Sequence, residues 1–105
     1  MKLYVQHRSV RFCLKPSDIL VLRDFGECRQ SILFPDGSCL EYVLSTSTST
    51  DFNVAFSNGV ILLTVPVSRL KAWHLSDQVT LTAEIRMGQE DILRVLMEKD
   101  VQYFD

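Results

Sequence analysis

The chain has 105 residues, 47% of them hydrophobic and 23% charged, with a formal net charge of -2. That length supports one core and is too short for two ordinary domains, and the composition fits neither a disordered segment nor a coiled coil. The 11 Lys and Arg are scattered among 13 acids, so no concentrated basic face is on offer to a phosphate backbone and nucleic acid is a disfavoured partner. No run approaches the ~20 apolar residues that span a bilayer, which predicts no membrane contact. Met1 leads straight into Lys2-Leu3-Tyr4-Val5-Gln6 without a secretory apolar region, so a cytoplasmic protein is expected. Cys13, Cys28 and Cys39 are widely and unevenly spaced, which fits neither a disulfide framework nor zinc knuckles, and they read as reduced thiols.

In chain order, Leu3 and Val5 alternate with polar residues, and Gln6-His7-Arg8 breaks the run before a second strand at 9–15. Pro16 sets the first turn of a helix over 16–25, with Asp18 near its positive end, Ile19, Leu22 and Phe25 on its apolar stripe, and Gly26 as its stop. Strands follow at 28–34 and 40–44, joined by the turn Pro35-Asp36-Gly37. The Ser/Thr run 45–51 reads as a linker. Phe52, Val54 and Phe56 then alternate into Ser57-Asn58-Gly59, whose Asn and Gly accept positive φ and suit a hairpin. Residues 60–65 are apolar on both faces, which predicts a central strand with Leu62 buried. Pro66 opens a helix over 67–75 carrying Leu70 and Trp73 on its core face, and two further alternating segments at 79–86 and 93–98 close the chain.

The order of elements before and after the Ser/Thr run is the same. Pro16 and Pro66 each end an alternating strand, and each is followed by a helix and two strands. The reading is an α+β single domain over 1–105: an antiparallel sheet or barrel of about eight strands with two short helices on its apolar side. It is built from a duplicated strand-helix-strand-strand unit, with pseudo-repeats at about 1–44 and 52–98. Alternation leaves Lys2, Gln6, Arg11, Lys15, Arg29, Glu41, Thr80, Thr82, Glu84, Arg86, Arg94 and Glu98 on the polar side.

Met1-Lys2-Leu3, Ser9-Val10-Arg11-Phe12-Cys13-Leu14, Trp73 with Ser76-Asp77 and Val79, and above all Ile92-Leu93-Arg94-Val95-Leu96-Met97-Glu98-Lys99-Asp100 carry a resemblance over nearly the whole chain. They resemble a family of small uncharacterised bacterial proteins of unknown function. The chain departs from that pattern at Gln6-His7, where the family has a turn glycine, and at Val101-Gln102-Tyr103-Phe104, where it has an aromatic residue and a cysteine. In layout alone, the duplicated unit also resembles the triphosphate tunnel enzymes, although their Glu-x-Glu-x-Lys strand motif is absent.

No catalytic signature is present, and the leading expectation is a non-catalytic binding or protein-interaction module, self-associating or with a protein partner, without cofactor or metal. The alternative is a binder or hydrolase of a small anionic ligand, phosphate or carboxylate, on the mixed-charge face around Arg11, Arg29, Glu84, Arg86, Arg94 and Glu98. A nucleic-acid binder with a local basic patch of Arg8, Arg11, Lys15, Arg69, Lys71 and Arg94 comes third. Among the remaining groups, Cys13 sits beside Arg11 and Lys15, which would favour a thiolate, but no base is evident within its reach and it reads as a small space-filler on a half-wet strand. Glu98 and Asp100 share a strand face at a strand end expected to be solvated, and Trp73 is expected in the core.

Overall fold

A computed structural model describes residues 1–104; Asp105, the last residue of the expected domain, lies outside the described residues. Among the described residues the elements are β1 (Lys2–Gln6), β2 (Ser9–Leu14), α1 (Pro16–Phe25), β3 (Glu27–Leu33), β4 (Cys39–Ser47), β5 (Asn53–Ser57), β6 (Val60–Pro66), α2 (Val67–His74), β7 (Thr80–Met87), β8 (Asp91–Lys99) and a final 3-10 turn at Val101–Tyr103. The α+β class, the eight strands and the two helices match the expectation.

The arrangement of the strands does not. In place of one continuous sheet or a barrel there are two four-stranded sheets, β1-β2-β8-β7 and β3-β4-β6-β5. Neither is purely antiparallel, because β2 runs parallel to β8 and β4 parallel to β6 at the two centres. Each sheet therefore joins a hairpin from the first half of the chain to a hairpin from the second. Exchanging β1, β2, β3 and β4 for β5, β6, β7 and β8 converts one order into the other. The registers follow. Val5 faces Val10 in the first sheet as Phe56 faces Ile61 in the second, and Leu93 faces Ile85 as Leu40 faces Ile32.

Local chemistry accounts for the elements. Pro16 starts α1, the Asp18 carboxylate accepts the Lys15 backbone N–H at 2.9 Å, and Gly26 ends the helix at φ 75° with its N–H on the Leu22 carbonyl. The second helix is stopped from a distance: Lys99, itself buried, reaches from β8 to donate from Nζ to the Ser76 carbonyl at 2.6 Å, placing a cation past the negative helix end. Ser45, Thr46 and Ser47, read as linker from their polarity, belong to β4 and pair with β6, because backbone pairing is indifferent to a hydroxyl and β-branched threonine suits a strand.

Both helices press their apolar faces into one core. Ile19 and Leu22 from α1 and Leu70 and Trp73 from α2 meet Phe12, Leu14, Leu44, Leu63, Val65, Val95 and Met97 from the sheets. Leu62 is a correction: it is only half-buried and sits on the outer face beside Val43, while its neighbour Leu63 is fully buried. Residues 60–65 are apolar on both faces because the outside of this sheet carries its own apolar strip, not because a second layer covers it. Phe25, placed on the apolar stripe of α1, is 81% exposed.

Candidate interaction surface

The ladder pairings put the two helices at one end of the sandwich and all four hairpin turns at the other. Both β2 and β6 run from a turn into a helix, and their parallel partners β8 and β4 begin beside those same turns. The helices plug their end with Ile19, Leu22, Leu70 and Trp73. The turn end has no such plug. Inward-facing side chains there, Val10 and Leu93 from one sheet and Leu40, Val54, Phe56 and Ile61 from the other, line an open cleft of about 290 Å³ whose walls are almost wholly apolar. Phe56 at its lip is 69% exposed. The turns around this mouth are polar: His7-Arg8, Asp36-Gly37-Ser38, Asn58-Gly59 and Gly88-Gln89-Glu90. Arg8 is ion-paired to Asp91 at 3.1 Å, and Asp36 accepts from the Ser38 backbone N–H and hydroxyl. Asn58 and Gly59 take φ 51° and 75°, as the hairpin reading requires, and a Cβ on Gly59 would stand 2.7 Å from the Cys39 carbonyl oxygen.

No single face collects the polar residues, because two sheets have two outer faces. The first sheet's outer face carries Arg11, Glu84, Arg86, Arg94 and Glu98 together with Lys2, Gln6, Thr80 and Thr82. Arg29 and Glu41 lie outside the other sheet, where Arg29 pairs with Glu27 and Glu41 at 3.0 Å each. Arg11 is occupied as well: it pairs with Glu98 at 3.2 Å and stacks on Tyr4 at 4.3 Å from the ring centre. Arg94 has Glu84 as its cross-strand neighbour yet forms no ion pair among the described residues. It lines two depressions, one of about 210 Å³ with Tyr4, Gln6, Ser9 and Leu96, the other of about 340 Å³ with His7, Arg8, Glu84 and Glu90. Arg86 lines neither.

The other sequence candidates are accounted for by packing. Cys13 is buried, and burial followed by the nearby Asp100 and Glu98 carboxylates pushes its thiol above the ordinary value of 9.0, against the smaller lowering effect of Lys2 and Arg11. Burial makes it a space-filling thiol, set deeper than a half-wet strand implies. The 98–100 strand end is solvated only at Glu98, which is half-buried: Lys99 and Asp100 are buried, and Asp100 accepts the Gln102 N–H at the start of the final turn. Trp73 is in the core, its Nε1 donating to the Val79 carbonyl at 3.2 Å. Among the described residues no three His, Cys, Asp or Glu side chains come together as a metal site, and no helix is long and apolar enough to cross a membrane.

None of the candidate site residues read from the sequence lines the apolar mouth. Alternation groups Val54 with Phe56 and Leu93 with Val95 and Met97, but it carries no sign that one end of the sandwich leaves such residues uncovered.

Fold and surface together define a small α+β protein of two hairpin-exchanged sheets, closed by helices at one end. The chain belongs to a family of unknown function, DUF7009, whose model matches residues 1–105. No curated protein and no solved structure matches it.

Proposed function

We propose that the chain is a non-catalytic protein-interaction module that binds through the apolar mouth at its turn end. The observation that carries this reading is the cleft lined by Val10, Leu40, Val54, Phe56, Ile61 and Leu93, where core-facing side chains from both sheets meet solvent inside a ring of polar turns. An apolar centre with a polar rim is the composition of a protein interface. At about 290 Å³ the cleft lies at the lower end of small-molecule sites, which suits the tip of a partner side chain or two better than a cofactor. The reading takes the chain as two ββαββ units that exchange hairpins, working in the cytoplasm, where its three free cysteines stay reduced.

One observation favours a second reading, a small anion held by Arg94 on the outer face, since a guanidinium without a carboxylate partner among the described residues is free to grip phosphate or carboxylate. A single pair of experiments separates the two. Binders are selected from a displayed library of short apolar-rich peptides and re-measured against variants. Affinity is expected to fall tenfold or more on Phe56→Glu and to hold on Arg94→Ala. The outcome against the module is a melting temperature raised by phosphate, a nucleotide or a dicarboxylate, an increase lost in Arg94→Ala, with no peptide binder sensitive to Phe56→Glu.

A further inference from the structure

The geometry points to a separate binding site at the helix end of the sandwich: a cleft for a small monocarboxylate with an apolar body, its carboxylate paired to Lys99. The burial of Lys99 carries this inference. The residue is 8% exposed and forms no ion pair among the described residues. An ammonium withdrawn from water is costly unless an anion answers it, which is why lysine is almost never buried unpaired. Lys99 has two substitutes for an anion. Its Nζ donates to the Ser76 carbonyl at 2.6 Å and lies 5.4 Å from the centre of the Trp73 ring. Neither carries a full charge, and of the three N–H donors of an ammonium the carbonyl takes one. The neighbouring carboxylates do not make up the difference. Asp100 follows directly in the chain, yet it pairs with Lys2 at 3.7 Å and accepts the Gln102 N–H, and Asp77 makes no ion pair with Lys99.

What Lys99 does meet is space. It lines a cleft of about 380 Å³ between the 75–79 loop that follows α2, the end of β8 and the final 3-10 turn. His74, Ser76 and Asp77 supply the polar lining, and Val79, Val101 and Phe104 supply the apolar lining. That volume falls within the range of small-molecule sites, and a few fixed polar groups beside apolar walls are their usual composition. Val79 and Val101 are 41% and 64% exposed, so an apolar body laid on them removes surface that the fold leaves in water. The parts are also held together. The Lys99 backbone N–H donates at 3.0 Å to the Val79 carbonyl, which accepts the Trp73 Nε1 as well, so the ammonium and the apolar wall are fixed to each other before anything binds. Charge selects the class of ligand. The buried cation favours an anion, and the half-buried His74 adds a second donor, while Asp77 and the carbonyl end of α2 put negative charge beside them. One carboxylate gains from the first pair; a dianionic phosphate meets twice the opposition from the second.

The test is a titration of the full chain with benzoate and with hexanoate, read from the NMR shifts of Val79 and Val101, with benzyl alcohol and inorganic phosphate as controls. Both carboxylates are expected to saturate with dissociation constants of about 1 mM or below, and both controls to bind about tenfold more weakly or not at all. Lys99→Met keeps the stem, removes the charge and should weaken benzoate by about tenfold or more. Because that change also strips α2 of its distant cap, Val101→Glu is the second variant. Its side chain is mostly exposed, so the chain folds with unchanged circular dichroism while a carboxylate enters the cleft, and the same loss is expected. Phe56→Glu and Arg94→Ala should leave both constants unchanged, which separates this site from the mouth and from the outer face. Absence of a saturating shift at Val79 and Val101 overturns the proposal, as does phosphate or benzyl alcohol binding as tightly as benzoate. Undiminished binding by Val101→Glu, or by a folded Lys99→Met, overturns it too.

Discussion

Leu63→Ala is expected to lower the free energy of unfolding by about 2–5 kcal/mol, and Leu62→Ala by less than half as much. Adjacent residues of a strand point to opposite faces, and here one face meets the joint core while the other meets water. Leu63 is fully buried in the cluster with Phe12, Leu44 and Val95, so truncation costs both transfer energy and the cavity that rigid neighbours cannot fill. Leu62 packs on the outer face against Val43, where solvent can occupy the space left. Urea midpoints at unchanged slope give both values. Equal costs would place the core on both faces of β6.

Trp73→Ala is expected to cost about 3–5 kcal/mol, the range for truncating a buried aromatic. Trp73 is 1% exposed and joins three parts of the fold: its ring packs in the core, its Nε1 donates to the Val79 carbonyl, and the Lys99 ammonium lies 5.4 Å from the ring centre on its way to cap α2. Trp73→Phe keeps most of the ring and removes the indole donor, while the Val79 carbonyl still accepts the Lys99 backbone N–H at 3.0 Å, for a smaller loss of about 1 kcal/mol. If the alanine variant unfolded at the wild-type midpoint, α2 would not be the plug of its end of the sandwich.

Strand positions, both helices and the turns at 35–37 and 57–59 were legible because each rests on neighbours in sequence: a period of two, a proline before a helix, residues tolerant of positive φ. Strand partners were not. Alternation in β2 says that Val10, Phe12 and Leu14 share a face, but nothing in those residues says that β8, some 80 positions away, will lie parallel beside them. The spacing of the two prolines differs by one residue from the offset between the two matching hairpin registers. Register matches Leu14 with Val65, leaving Lys15 as an extra residue before Pro16. The polar residues were assigned to a single side because one sheet was expected, and the second sheet carried Arg29 and Glu41 away from Arg94. The surroundings of Cys13 were legible only in part for a similar reason, since the cations beside it are visible in sequence and the Glu98 and Asp100 carboxylates are not.

The sandwich is sealed by helices at one end and open at the other. Xenon, which enters dry apolar clefts without needing a polar contact, tests it most directly when titrated into the methyl-labelled chain under NMR observation. The methyl shifts of Val10, Leu40, Val54, Ile61 and Leu93 are expected to move first and together, with those of Leu22, Leu44 and Leu70 unmoved. Movement confined to the helix-end methyls of Leu20, Val21 and Leu75, with the five mouth residues silent, would contradict it.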